Sequence, residues 1–382
     1  MENYISENIE SVYGVLKELC AIPAPSHMEH KRAEYCKKWL EENGAKGVYI
    51  DDALNVIYPL NCDNSDEITV FVAHTDTVFP DLEPMPYIDD GEKIYCPGVG
   101  DDTASVSVLM HTAKYFIEKK IVPEKGIMFV CNSCEEGLGN LKGTRQLFKD
   151  FEGRIAQFIS FDGNNMTAVA DQCAGSHRYE VEVLTEGGHS YTKFGNANAI
   201  NELSKMVTEI YKIDVPRREG ERTTYNVGGI SGGTSVNTIA QNAKMLCEYR
   251  SSHKDCLAIM QKKFEAIFES VKSDKVHVNV KKIGDRPCSN IDDSKIERLR
   301  KIIEPIIKDV VKQSAVYRSA STDCNIPLSL GVPAICVGVY MGGGAHTREE
   351  WVEKASLVPG LEFAIKAAKA LVEVEENESC CL

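Results

Sequence analysis

Residues 68–76 read ITVFVAHTD. Six residues without a charge, four of them β-branched, are too few for a typical helix, and they show no polar alternation. They predict a strand buried on both faces, followed at once by polar chemistry. The same arrangement recurs three times. GIMFVCNSC (126–134) runs into Glu135 and Glu136, IAQFISF (155–161) into Asp162, and AICVGVYMGGG (334–344) into the segment that carries His346. Helical stretches such as Ser105 to Lys119 lie between some of these strands. Fully apolar strands alternating with helices imply an α/β fold with a mostly parallel sheet and flanking helices. In such a sheet the carboxyl ends of the parallel strands share one edge, where ligands bind. His74, Glu136, Asp162 and His346 are therefore expected to converge.

Upstream, Ile9 to Asn43 reads as a helix, a Pro-rich break at AIPAPS, and a second helix, KRAEYCKKWLEENG, closed by Gly44. From about Gly175 to Arg286 the pattern changes. Strand SHRYEVEVLT, helix NANAINELSKMVTEIYKI, strands around TTYNVGGI and AKMLCEYRS, helix HKDCLAIMQKKFEAIFESV and strand KVHVNVKKI follow in turn. That order is βαββαβ, a two-layer unit of the ferredoxin-like kind. The expected organisation is residues 1–174 as the first part of an α/β domain, 175–287 as an inserted domain, and 288–382 as the second part.

A chain of 382 residues exceeds the size of about 250–300 at which a single core stops growing, which agrees with two domains. A net charge of −14 argues against nucleic acid or an anionic membrane as partner, since either would repel this surface. MENYISENIESVYGVLKELC is not the pattern of a secretory signal, and no stretch reaches the roughly 20 apolar residues that span a bilayer. Fourteen cysteines then read as reduced thiols, and the expected location is the cytoplasm. The final SCCL misses the prenylation pattern, which puts cysteine fourth from the end.

The convergent residues suggest a chemistry. His74 and Asp76 have HxD spacing, which in extended backbone puts both side chains on one face. Asp76 can then accept the second ring N–H of His74 and set its tautomer. Asp101 follows the turn CPGVG; its two oxygens can bridge cations about 3.5–4 Å apart, or it can cap a helix beginning near Thr103. Glu135 and Glu136 are adjacent and diverge in non-helical backbone, so Glu136 suits a metal and Glu135 a proton. The alternative for this pair is a solvated acidic loop. Cys131 and Cys134 form a CxxC, but no second pair completes a zinc knuckle. GVGDD lacks the GxGxxG spacing of a dinucleotide site.

These elements, in this order, resemble the dinuclear zinc metallopeptidase superfamily that contains tripeptide aminopeptidase (peptidase T), glutamate carboxypeptidase, acetylornithine deacetylase and succinyl-diaminopimelate desuccinylase. The resemblance runs from AIPAPS to AHTREEWV. It is carried by AHTDTV, GVGDDT, EEGLGNLKGTR, FDG, GGHS and STDCNIPLSLGVPAICVGVYMGGGAHTREEW, and is closest to the peptidase T-like branch. It implies two zinc ions per subunit, with cobalt or manganese as substitutes. His74 and Asp162 would hold one, Glu136 and His346 the other, with Asp101 bridging, Glu135 as general base and Asp76 orienting His74. It further implies a homodimer built through the inserted domain, with His189 reaching the partner's active site to stabilise the oxyanion, and Asn237 and Arg250 contacting substrate. His27 and His30 have no part in this scheme.

The resemblance therefore implies hydrolysis of peptide bonds, as an aminopeptidase acting on short peptides. Deacylation of an N-acyl amino acid is the alternative with the same metal centre. A non-catalytic peptide-binding protein would be expected to have lost a ligand or the base, and all six residues are present. One departure stands out: many members carry lysine two residues after the bridging aspartate, where this chain has Thr103.

Overall fold

In the computed structural model, which describes residues 1–372, the four apolar runs lie side by side. The terminal SCCL falls outside the described residues. Strands Gly126–Asn132, Ile68–His74, Ile155–Ser160 and Ala334–Val337 form the parallel centre of an eight-stranded sheet, in that spatial order. Every residue of Ile68–His74 and Gly126–Asn132 is buried, as expected of strands covered on both faces. Shorter or more exposed strands complete the sheet. Tyr49–Ile50 and Val56–Leu60 lie on one side, and Ala168–Cys173 and Val316–Ala320 on the other.

Helices Glu2–Cys20, Ser105–Glu118, Asp293–Val311 and Leu357–Leu371 contribute to one large core with the sheet. The first helix begins well before Ile9 because Tyr4, Ile5 and Asn8 continue its buried face at helical spacing. Gly44, at φ +93°, ends the second helix, His30–Glu42, in the left-handed conformation that a side chain disfavours. The strand expected in AICVGVYMGGG stops at Val337. Gly338 lies so close to the Gly163 carbonyl that a Cβ there would collide with it.

The chain divides into two compact units: Met1–Gln172 with the segment from Asn290 onward, and Cys173–Ser289. The second unit is a four-stranded antiparallel sheet in the order Thr223–Gly232, Asn242–Ser251, Gly175–Thr185, Val276–Arg286. Helices Ala199–Ile210 and Lys254–Ser270 pack on it. In Asn242–Ser251 buried and more exposed residues alternate. The inward side chains Met245 and Tyr249 meet Leu203, Met206, Met260 and Phe264 of the helices. This is the ferredoxin-like βαββαβ arrangement. No helix among the described residues is long and apolar enough to cross a membrane.

Candidate metal centre

His74 is the last residue of its strand and pairs in register with Asn132. Its Nδ1–H donates to the Asp76 carbonyl at 3.1 Å and lies 3.4 Å from Asp76 Oδ1. A proton held on Nδ1 leaves the Nε2 lone pair for the cluster, where Nε2 is 3.0 Å from Asp101 Oδ1. The other Asp101 oxygen, Oδ2, lies 3.1 Å from His346 Nε2, and that nitrogen is 3.0 Å from Glu136 Oε1. Two groupings result, His74 with Asp101 and Asp162, and Asp101 with Glu136 and His346; within each, the candidate ligand atoms lie within 4.8 Å of one another. Asp101 belongs to both. A third grouping joins His74, Glu135 and Glu136. The five candidate ligands and Glu135, drawn from segments spread over residues 74–346, thus meet at the carboxyl edge of the sheet.

Asp101 sits in Val99–Ala104, an irregular turn before helix Ser105–Glu118, and the Asp101–Asp102 peptide is cis. The helix begins without a side-chain cap, so Asp101 is not used as one. Asp102 is fully buried and its Oδ2 accepts the His74 backbone N–H at 3.0 Å. The turn is gripped by Glu350, whose carboxylate accepts backbone N–H groups from Gly98, Gly100 and Asp101 at 2.7, 2.9 and 2.7 Å. Reading the sequence did not find Glu350's role. Its partners stand about 250 positions away, and the only local sign was its place in AHTREEW.

Glu135 and Glu136 are buried, at 5% and 6% exposure, which rules out a solvated acidic loop. Asp76 holds them: Oδ1 accepts the Glu135 N–H at 2.9 Å, and Oδ2 accepts the Glu136 N–H at 3.0 Å and the Ser26 hydroxyl at 2.6 Å. The Asp76 carboxylate therefore serves the acidic pair more closely than it serves the His74 ring. Cys134 Sγ donates to Glu29 Oε1 at 3.1 Å, and burial together with that carboxylate pushes the thiol well up. Neither Cys131 nor Cys134 enters a metal grouping among the described residues. His30 opens its helix, whereas the exposed His27 ring lies 3.4 Å from Cys134 Sγ.

Asp323, also missed, is buried behind the pair and accepts from Asn132 Nδ2 and the Thr144 hydroxyl; burial pushes it up to about 6. Arg32 is another residue that sequence reading passed over. Only 2% exposed, it donates to the carbonyls of Ile22 and Thr75 and to Thr103 Oγ1 at 2.8, 2.9 and 3.1 Å. It ties the second helix to both the His74–Asp76 and Asp101–Thr103 segments, and it places a cation against the threonine.

The electrostatics favour a cation. Burial pushes Glu136 up to about 7, with His346 opposing and Asp101 and Glu135 adding to the rise. Burial and then Asp101 push Asp162 well up. Burial also opposes ionisation of Asp101, but hydrogen bonds from His346 and His74 hold it below the usual carboxylate range. Asp101 and Glu136 raise His346 to about 10. In ion-pair contact, Asp101 and Glu136 meet histidines and no lysine or arginine among the described residues. Three carboxylates and two imidazoles in this arrangement make a donor set suited to divalent zinc, cobalt or manganese.

In the second unit, His189 lies in the short strand Gly188–His189, paired with Thr238–Ile239, and is exposed. Asn237 is beside it: its carbonyl accepts the Ser190 N–H at 3.0 Å. Arg250 forks onto Glu248 two residues earlier on its strand, at 2.8 and 3.0 Å.

A sheet with a parallel centre and a cluster of carboxylates and imidazoles at its carboxyl edge, largely buried apart from the exposed His346, is the arrangement of a candidate metal site in a hydrolytic enzyme. The chain belongs to peptidase family M20/M25/M40, whose family model matches residues 70–370. It is similar over 362 residues to YqjE of Bacillus subtilis (strain 168), with 24% identity, covering 89% of this chain and 93% of that one. Two solved structures share the fold. One is a tripeptidase from Staphylococcus aureus subsp. aureus mu50, with TM-score 0.74 and 20% identity over 95% of this chain and 99% of that one. The other is the aminopeptidase PepT from Bacillus cereus ATCC 10987, with TM-score 0.73 and 19% identity over the same shares.

Proposed function

We propose that this chain is a two-metal aminopeptidase that cleaves short peptides, with His74, Asp101 and Asp162 holding one zinc ion and Asp101, Glu136 and His346 the other. The observation that carries the reading is Asp101, whose two oxygens face two different histidines at 3.0 and 3.1 Å, as a bridging carboxylate requires. Two divalent cations held there would supply Lewis acidity, which polarises a carbonyl and draws the pKa of water towards neutrality. Glu135 takes the proton of the attacking water on its carboxylate and delivers it to the departing amine nitrogen. Asp76 keeps Glu135 in place through its backbone N–H. The Asp76 carbonyl keeps the His74 proton on Nδ1.

The unit Cys173–Ser289 serves as lid and dimerisation domain. The partner's His189 donates to the oxyanion, and Asn237 and Arg250 contact substrate. The enzyme works in the cytoplasm; buried thiols such as Cys20, Cys36, Cys131 and Cys336 form no disulfide, which supports a reducing compartment.

The test is a panel of di- and tripeptides with free or acetylated amino termini, presented to metal-loaded protein with and without chelator. Chelator-sensitive cleavage of free-terminus peptides is the expected result. Cleavage confined to acetylated substrates would replace the aminopeptidase with an N-acyl amino acid deacylase.

A further inference from the structure

His346 is the exposed member of the candidate ligand set. Its side chain is 56% exposed, against 1% for His74, so packing does not fix it over the cluster as it fixes His74. Its backbone is strained as well. The Thr347 N–H donates to the Gly344 carbonyl at 2.9 Å and closes a turn in which His346, at φ +65°, takes the third position. A positive φ there suits glycine or asparagine, and another residue keeps it only where its surroundings impose it.

Residues 344–349 form the exposed tip between the paired strands Gly342–Gly343 and Trp351–Glu353. Buried Glu350 fixes the base of this hairpin to the Asp101 turn. Among the described residues, Arg348 is the one side chain of the tip besides His346 that hydrogen-bonds to another segment. Its Nη1 and Nη2 donate to Asp81 Oδ1 and Oδ2 at 3.0 and 2.7 Å, a two-pronged pairing that fixes direction as well as distance. The guanidinium also lies 5.0 Å from the centre of the Phe79 ring, within cation–π reach, and Phe79 is buried. Phe79 and Asp81 stand on the segment that leaves strand Ile68–His74 through Asp76. The fork therefore fastens the tip that carries His346 to the chain that has just supplied His74.

We propose that Arg348 is a positioning residue: its fork onto Asp81 holds the strained His346 turn over the cluster and so sets the affinity of the metal ion bound with Glu136 and His346. This deepens the two-metal reading and rests on it. The other ion, held with the buried His74, does not depend on the fork.

The experiment titrates zinc into chelator-treated protein against a chromophoric competing chelator, which gives the number of ions bound and a constant for each step. The proteins are wild type, Arg348→Met, Asp81→Asn, His346→Ala and Arg348→Met combined with His346→Ala. Wild type should bind two ions, and the step that His346→Ala weakens identifies the site. Arg348→Met and Asp81→Asn should each weaken that same step about fivefold, the upper range for an exposed pair, and leave the other step unmoved. The two substitutions change the net charge in opposite directions, so a purely Coulombic effect on the ions would shift affinity in opposite directions. With His346 already replaced, Arg348→Met should change nothing, because the group it positions is gone. Opposite shifts, equal weakening of both steps, or an undiminished loss in the His346→Ala background overturns the assignment. Two ions bound with neither step moved by Arg348→Met refutes it alone. Fewer than two ions bound by wild type refutes the two-metal reading, and the assignment with it.

Discussion

Glu350 accepts the backbone N–H of Asp101 at 2.7 Å from 249 residues further along the chain, and the same carboxylate takes the N–H groups of Gly98 and Gly100. The residue that faces both histidines is thus held by an acid that touches neither. Glu350→Ala leaves three N–H groups without their acceptor, each costing about 1–3 kcal/mol if it stays buried. The expected outcome is a stability loss of about 3 kcal/mol or more in urea denaturation and at least tenfold weaker zinc or cobalt binding. Unchanged metal affinity would show that Asp101 is placed without Glu350.

Replacement of Glu135 by Gln keeps the buried shape and removes the base. Metal content measured by elemental analysis should be intact, while turnover falls by about 10² to 10⁴, the range of general-base contributions. His189→Ala should also cripple turnover. Mixing the two inactive variants should restore activity if each site uses the partner's His189, because some sites then combine an intact Glu135 with an intact His189. Demonstrably mixed dimers with no activity would sink the shared site.

Metal binding should respond to pH in a defined direction. Burial raises Glu136 from 4.5 to about 7 in the folded protein, so the stability its protonated form contributes is present below about pH 4.5 and lost as pH rises through 7. Asp101 and Glu136 raise His346 from 6.5 to about 10; its contribution is present below 6.5 and lost towards 10. Chelator-treated protein should therefore have a lower Tm at pH 8.5 than at 6.5. Added zinc should raise Tm more at the higher pH, where fewer protons compete for the ligands. A metal-induced rise that is larger at pH 6.5 would contradict the ligand set.

His111 offers a control remote from the metals. It is fully buried; Nδ1–H donates to the Ser107 carbonyl at 2.8 Å and Nε2 lies 2.9 Å from Ser11 Oγ. Burial, its largest cause, lowers it from 6.5 to about 4. A depressed folded-state value means the contribution is present above pH 6.5 and lost as pH falls through 4, about 3 kcal/mol in all. Comparing wild type with His111→Gln by urea denaturation at pH 7 and pH 4.5 isolates this from the carboxylates, which titrate alike in both proteins. Wild type should lose more than the variant on acidification. Parallel losses would remove His111 as the cause.

Much of the architecture was legible because burial on both faces writes an unbroken apolar run, and four such runs proved to be the parallel centre of the sheet. Four of the five candidate ligands were legible for a related reason: a polar residue soon after a buried strand must emerge at the strand's carboxyl end. Short edge strands such as Tyr49–Ile50 and Val316–Ala320 went unread, since two to five partly exposed residues carry no periodicity.

From the sequence alone came the α/β class, the βαββαβ insertion and the meeting of His74, Glu136, Asp162 and His346, all consequences of local patterns of burial. Only tertiary structure decided that Asp76 braces Glu135 and Glu136, that Glu350 grips the Asp101 turn and that Arg32 meets Thr103. Those contacts join residues far apart in the chain or depend on how a loop turns, and hydrogen bonds of that kind leave no spacing in the sequence from which to infer them.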